Sequence, residues 1–268
     1  MKLSQNEFNL NHDLSFYQIS PSQMSGCIAY WSCNEGTGSY VLDSVGGFTG
    51  SLFSGATFSE GRFGSGIQSI TGNSMVKCGS NGVLDIGNNS SYTISLWINV
   101  GSPQVVGFPR VLEKGGFGGS GWSLQIGSGA NLGQVQLYYG SGTGWGFSSN
   151  QINVILGIWA NPIFLVSGGW CYGYLNSQIT GSKAVSSPFY AANNKILNLN
   201  GQSLGGGAFQ GKIDEVCLFN RSLTIGEMNI LYQAGSIQGF NFYASNAKPN
   251  LESSQNQFVI KEVLNADI

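Results

Sequence analysis

The chain has 268 residues, 41% hydrophobic, with only 9% charged and a formal net charge of −2. That balance excludes an electrostatic nucleic-acid binder, which needs a basic field, and it offers no acidic field to a cationic partner. The longest apolar stretch, residues 152–166, is cut by Pro162 and falls short of a spanning helix, so no membrane insertion is expected.

Residues 1–25 read as a polar arm punctuated by Phe8, Leu10, Leu14, Phe16, Tyr17 and Ile19, closed by Pro21. Its first residues, Met1 to Glu7, lack the apolar run of a signal peptide. Residues 26–235 hold the strand patterns. Of the 41 glycines, 38 fall between residues 26 and 211, in clusters such as 115–119 and 205–207. They follow no Gly-X-Y period, and no cluster ends in the Lys-Ser/Thr of a phosphate loop, so they read as turns between strands.

Period-2 alternation marks the strands themselves. Tyr92, Ile94, Leu96, Ile98 and Val100 share one face, opposite Thr93, Ser95, Trp97 and Asn99. Trp122, Leu124 and Ile126 alternate with Ser123 and Gln125, and Val135, Leu137 and Tyr139 alternate with Gln134, Gln136 and Tyr138. Half-buried strands of this kind need a second sheet over their apolar face, which predicts an all-β, two-sheet antiparallel sandwich. One helix is expected near the end of the domain, over residues 224–232, where Thr224 and Glu227 form a capping box and Gly235 supplies a stop. Residues 236–268 form a second polar extension with Phe240, Phe242 and Tyr243.

Cys27, Cys33, Cys78, Cys171 and Cys217 form no CxxC and have only His12 for company, which argues against zinc. They read mainly as small buried hydrophobes, with one or two disulfides left open.

The stretch from Ala29 to Gly38 followed by Asp43 resembles the first strand and loop of laminin G-like, concanavalin A-like jelly-roll domains of the pentraxin-related type. Gly61-Arg62-Phe63-Gly64 is similar to the turn that follows there, and Tyr92–Ile98 to the central strand. Trp159 with Tyr174-Leu175-Asn176 resembles the paired strands, and Gly211–Val216 with Asn220–Glu227 the closing strand and helix. Ser177 stands where the family places Gly, and Ala160 and Asn161 where it places a His pair. The resemblance covers about residues 26–235 and implies a jelly-roll sandwich. It also implies a Ca²⁺ near one rim, held by a carboxylate and backbone carbonyls. Asp43 sits in a Gly-rich loop suited to that role, and Asp214 on the closing strand is its natural partner.

Glycosidases on this fold need two carboxylates on one face. The acidic residues show no such spacing, and Asp214 and Glu215, being adjacent in a strand, are expected to point to opposite faces. His12, which a Ser-His or Cys-His pair would have to use, lies in the arm outside the predicted core, so no enzyme is expected. Sugar sites combine aromatic faces with amide side chains. Outward-facing Gln125, Gln136 and Tyr138, with Trp145 in a Gly-rich loop, supply both. The reading is a non-enzymatic, lectin-like adhesion module that binds a glycan or glycoprotein and is displayed on a virion or other extracellular surface assembly. The alternatives are a purely structural virion component (decoration, fibre or tail), oligomeric or held to other structural proteins by its arms, and, less well supported, a glycoside hydrolase of the same fold.

Overall fold

The computed structural model describes residues 19–86, 91–101, 104, 107–116, 119–127, 129–185, 195–201 and 207–233. Most of the expected arm 1–25 and all of the extension 236–268, with Gly235, lie outside these residues.

Two antiparallel sheets face each other. In spatial order the first runs Gln178–Ala184, Trp170–Leu175, Pro162–Ser167, Tyr92–Val100, Gly211–Phe219, Ser65–Ser69, Thr57–Glu60, with Cys27–Trp31 and Trp159–Ala160 paired at its centre. The second runs Trp145–Ser148, Gln134–Gly140, Ser120–Ile126, Arg110–Gly116, Leu197–Leu199, Met75–Lys77, Gly50–Phe53, Tyr40–Val41, with Ile152–Asn153 beside Gln134–Gly140. This is the jelly-roll sandwich that the alternation and the resemblance imply. Trp31, Ile67, Ile94, Leu96, Trp122, Leu124, Val135 and Leu137 interdigitate between the sheets, all sealed from solvent. Burying them is the main driving force for the fold.

The helix spans Ile225–Gln233 and starts as expected. Glu227 N–H donates to Thr224 Oγ1 (3.2 Å) and Thr224 N–H donates back to Glu227 Oε2 (2.8 Å). Met228 and Leu231 seat it on Tyr30, Ile163, Leu165, Tyr174, Cys217 and Phe219, which project from the outer face of the first sheet. Tyr92–Val100 is therefore buried on both faces, although its sequence reads as apolar inward and polar outward. Trp97 does not face solvent: it stacks on Tyr232 of the helix at 5.4 Å and meets Phe63 edge-on at 5.6 Å.

Asn176 and Ser177 close the hairpin between Trp170–Leu175 and Gln178–Ala184 at φ 51° and 66°. Glycine would take the second position without strain. Serine compensates by donating its hydroxyl to Met228 O of the helix (3.1 Å). All five cysteines are free, and burial pushes the thiols of Cys27 and Cys171 up to about 11 and 12. They behave as small hydrophobes, and the disulfides that the sequence left open do not occur.

Candidate functional site

The outer faces of the two sheets differ. The first is roofed by the helix; over the second, no helix packs among the described residues. Its outward side chains follow from the register. Tyr40, Ser51, Lys77, Asn198, Glu113, Ser123, Tyr138 and Ser148 are successive cross-strand partners, one per strand across eight strands. At about 4.8 Å per strand this polar row extends roughly 34 Å. A second row, Arg110, Gln125 and Gln136, lies beside it.

The accessible members are Tyr138, Gln136, Lys77, Tyr40, Ser51 and Ser148, joined by Phe53, whose ring lies 4.2 Å from Lys77 Nζ. Between them on the same face Arg110, Glu113, Gln125, Ser123 and Asn198 are buried. Arg110 Nε lies 3.2 Å from Glu113 Oε2, and an Arg110 Nη1 proton goes to Phe108 O. Residues three apart on a regular strand face opposite ways. A bulge between Arg110 and Leu112 restores the pair to one face. Burial lowers the Arg110 guanidinium from its usual range, with Glu113 opposing, and burial raises the Tyr138 phenol, with Arg110 opposing. Tyr138 donates to Gln136 Oε1 (2.8 Å), and Gln136 Nε2 donates to Ser149 O (2.9 Å). The Gln125 Nε2 amide has no hydrogen-bond partner. An orphaned buried amide of this kind costs about 1–3 kcal/mol.

Of the four ligand residues expected from sequence, Gln125, Gln136 and Tyr138 lie on this one face, Gln136 and Tyr138 partly accessible but Gln125 buried, out of reach of a ligand. Trp145 begins the strand beside Gly140, but its side chain lies outside the described residues. Arg110 and Glu113 were invisible to pattern reading because nothing in Arg110-Val111-Leu112-Glu113 announces the bulge.

Asp43 and Asp214 are organisers of backbone. Asp43 Oδ1 accepts from the amides of Tyr30 (2.9 Å), Val45 (2.9 Å) and Gly46 (3.1 Å), and Oδ2 from Phe48 (3.1 Å). Asp214 accepts from the amides of Arg62, Phe63 and Glu215 at 2.8, 3.0 and 2.9 Å. N–H groups aimed at both oxygens turn positive dipole ends toward the space a cation would occupy, so these residues do not fit the calcium site that the resemblance implies. Among the described residues no three His, Cys, Asp or Glu side chains converge.

The expected alternation of Asp214 and Glu215 also fails. Glu215 sits at φ 50° in a bulge, and its carboxylate accepts from Tyr30 OH (2.6 Å), a residue of the helix-covered side. Asp214 pairs in register with Trp97, on that same side. Burial pushes Asp214 up to about 8, against its amide donors, and Glu215 up to about 7, against the Tyr30 hydroxyl.

A family model described as the concanavalin A-like lectin/glucanases superfamily matches residues 71–229. The chain belongs to this superfamily. Several solved structures share the superfamily's sandwich with it. Domain 4 of AbnA, a GH43 extracellular arabinanase from Geobacillus stearothermophilus, in complex with arabinotriose, superposes with a TM-score of 0.58 at 19% identity, covering 77% of this chain and 98% of that one. The binding domain of Paraclostridial Mosquitocidal Protein 1 gives 0.59 at 16% identity, covering 80% and 53%. Trypanosoma rangeli sialidase with the inhibitor DANA gives 0.55 at 13%, covering 78% and 33%. At such identities the superfamily likeness speaks to the fold alone. No curated protein sequence matches the chain.

Proposed function

We propose that the chain is a binding module that holds a neutral glycan on the outer face of its second sheet. The observation that carries this reading is the polar row from Tyr40 to Ser148, over which no helix packs among the described residues, with accessible Tyr138, Gln136, Lys77 and Tyr40 around a buried Arg110–Glu113 pair. Tyr138, Tyr40 and Phe53 offer aromatic faces for sugar C–H groups, and Gln136 and Lys77 offer polar groups to hydroxyls. Hydrolysis has no support here: among the described residues of this face Glu113 is the carboxylate, and it is already bound to arginine. The complex of AbnA domain 4 with arabinotriose shows the same fold holding an oligosaccharide, which supports the reading by analogy of fold.

A glycan array followed by titration calorimetry tests it. Binding of a neutral oligosaccharide, weakened about tenfold or more by Tyr138→Ala or Lys77→Ala without loss of fold, is the expected result. Absence of binding across the array would favour a purely structural component, tethered to a larger assembly through its terminal segments.

A further inference from the structure

Among the described residues, the strand-joining segments at one end of the sandwich expose no charged side chain, Arg110 beside them being buried. The described residues there, 70–74, 101, 104, 107–109, 127, 129–133, 154–158, 200–201 and 207–210, include no Asp, Glu, Lys, Arg or His. The opposite end bears Arg62 in the turn before Ser65–Ser69 and the Arg221–Glu227 ion pair. On the uncharged end, large apolar side chains stand in solvent: Ile155 is 72% exposed, Ile70 64%, Ile158 57%, Phe108 57% and Leu156 37%.

Hydrogen bonds to backbone carbonyls lace these tips into one rim. Gln210 Nε2 donates to Ile70 O (2.8 Å), Gly101 N–H to Gln210 O (2.9 Å), and Gly157 N–H to Val100 O (2.9 Å). On the other side Ala208 N–H donates to Gly72 O (3.0 Å), and Ala208 bridges to Arg110, two residues from Phe108. The tip at 155–158 is a tight turn, with Ile158 N–H donating to Ile155 O (3.2 Å) and Gly157 at φ 75°, the third-position requirement of a type II turn. Asn99 Nδ2 holds Gly157 O at 3.0 Å, so the turn is pinned to the Tyr92–Val100 strand through both its N–H and its C=O. Three apolar side chains are thereby held outward by a preorganised frame, at little further entropic cost on contact.

We propose that this rim is a self-association surface, through which two copies of the chain meet with Ile155, Leu156 and Ile158 of each at the centre. A patch that meets its own copy brings like charges together, and like-charge juxtaposition across an interface is strongly unfavourable. An uncharged rim removes that penalty. The exposed apolar side chains amount to roughly 500 Å², which is the apolar share of a standard interface of about 800 Å² per partner. A lipid surface is the poorer fit, because anionic headgroups are engaged through Lys and Arg, which these segments lack.

Sedimentation velocity on the full chain tests the proposal. A dimer that forms with rising protein concentration and resists added NaCl is expected. Ile155→Asp and, separately, Phe108→Ser each weaken it by about tenfold or more while leaving the far-ultraviolet spectrum unchanged. Ile179→Asp, on the exposed edge strand Gln178–Ala184, leaves the dimer intact. A protein that stays monomeric throughout overturns the proposal, whether or not it then pelts down with phosphatidylcholine vesicles. So does a dimer that yields to Ile179→Asp but withstands both rim substitutions.

Discussion

The two outer faces of the sandwich start from the same sequence rule and end in opposite environments. In Tyr92–Val100 the alternate residues Thr93, Ser95 and Trp97 lie beneath the helix, and Thr93 Oγ1 donates to Arg221 O (2.8 Å) while Asn161 Nδ2 donates to Ser95 Oγ (3.2 Å). In Ser120–Ile126 and Gln134–Gly140 the alternate residues Ser123, Gln125, Gln136 and Tyr138 belong to the face over which no helix packs among the described residues. Period-2 patterning tells which residues leave the inter-sheet core. What those residues meet on the far side depends on the helix, which arrives from more than 90 residues further along the chain.

The largest expected effect separates the faces directly. Trp97→Ala removes a ring packed between Tyr232, Phe63 and the Arg62 guanidinium, 4.7 Å from it, and destabilises the fold by about 3–5 kcal/mol in urea denaturation. Tyr138→Ala on the other face costs under about 1 kcal/mol while removing glycan affinity. Equal losses of stability from the two changes would mean that both faces are structural.

A smaller effect comes from acid titration on the roofed side. Glu215 is raised to about 7 from an ordinary 4.5 by burial. The folded protein then holds a proton that the unfolded chain has released, so stability is greatest below about pH 4.5 and falls as the pH climbs toward 7. The Glu215 share of the fall is on the order of 3 kcal/mol. Thermal melts of Glu215→Gln, which keeps an acceptor for Tyr30 OH, are expected to lose the Glu215 share of that slope, the rest coming from Asp214, which burial holds up to about 8. Melts of Glu113→Gln on the open face, where an arginine sits 3.2 Å away, are expected to retain it.

How much of this was legible in the sequence depends on regularity. The sandwich, the capped helix and the outward Gln125, Gln136 and Tyr138 follow from strict alternation and a capping motif. The errors cluster where alternation is broken by a single residue. Glu215 at φ 50° turns a carboxylate toward Tyr30, and the bulge at Val111 puts Arg110 and Glu113 on one face. Bulges are set by cross-strand partners distant in the chain, so no local signal announces them. The Ser177 departure was visible, but its compensation, a hydroxyl on Met228 O, required the helix to be in place.

The smallest expected effect is none at all, and it bears on the loop that the family resemblance marked for calcium. Asp43 receives four amide donors within 3.1 Å, three of them on one oxygen. A calcium ion would have to replace these N–H groups with six to eight oxygens, unwinding the loop 43–48 that the carboxylate organises. Addition of millimolar Ca²⁺, or of EDTA, is therefore expected to leave the melting temperature and any glycan affinity unchanged. Ligand binding to the native state alone stabilises by RT ln(1 + [L]/Kd), so a rise of even a few degrees with Ca²⁺ would show a cation site that the Asp43 and Asp214 geometry does not provide. Asp43→Asn sharpens the point. It keeps one acceptor oxygen but turns an NH₂ toward the amides, so it should lower stability equally with and without Ca²⁺, as loss of a backbone anchor requires and loss of a metal ligand does not.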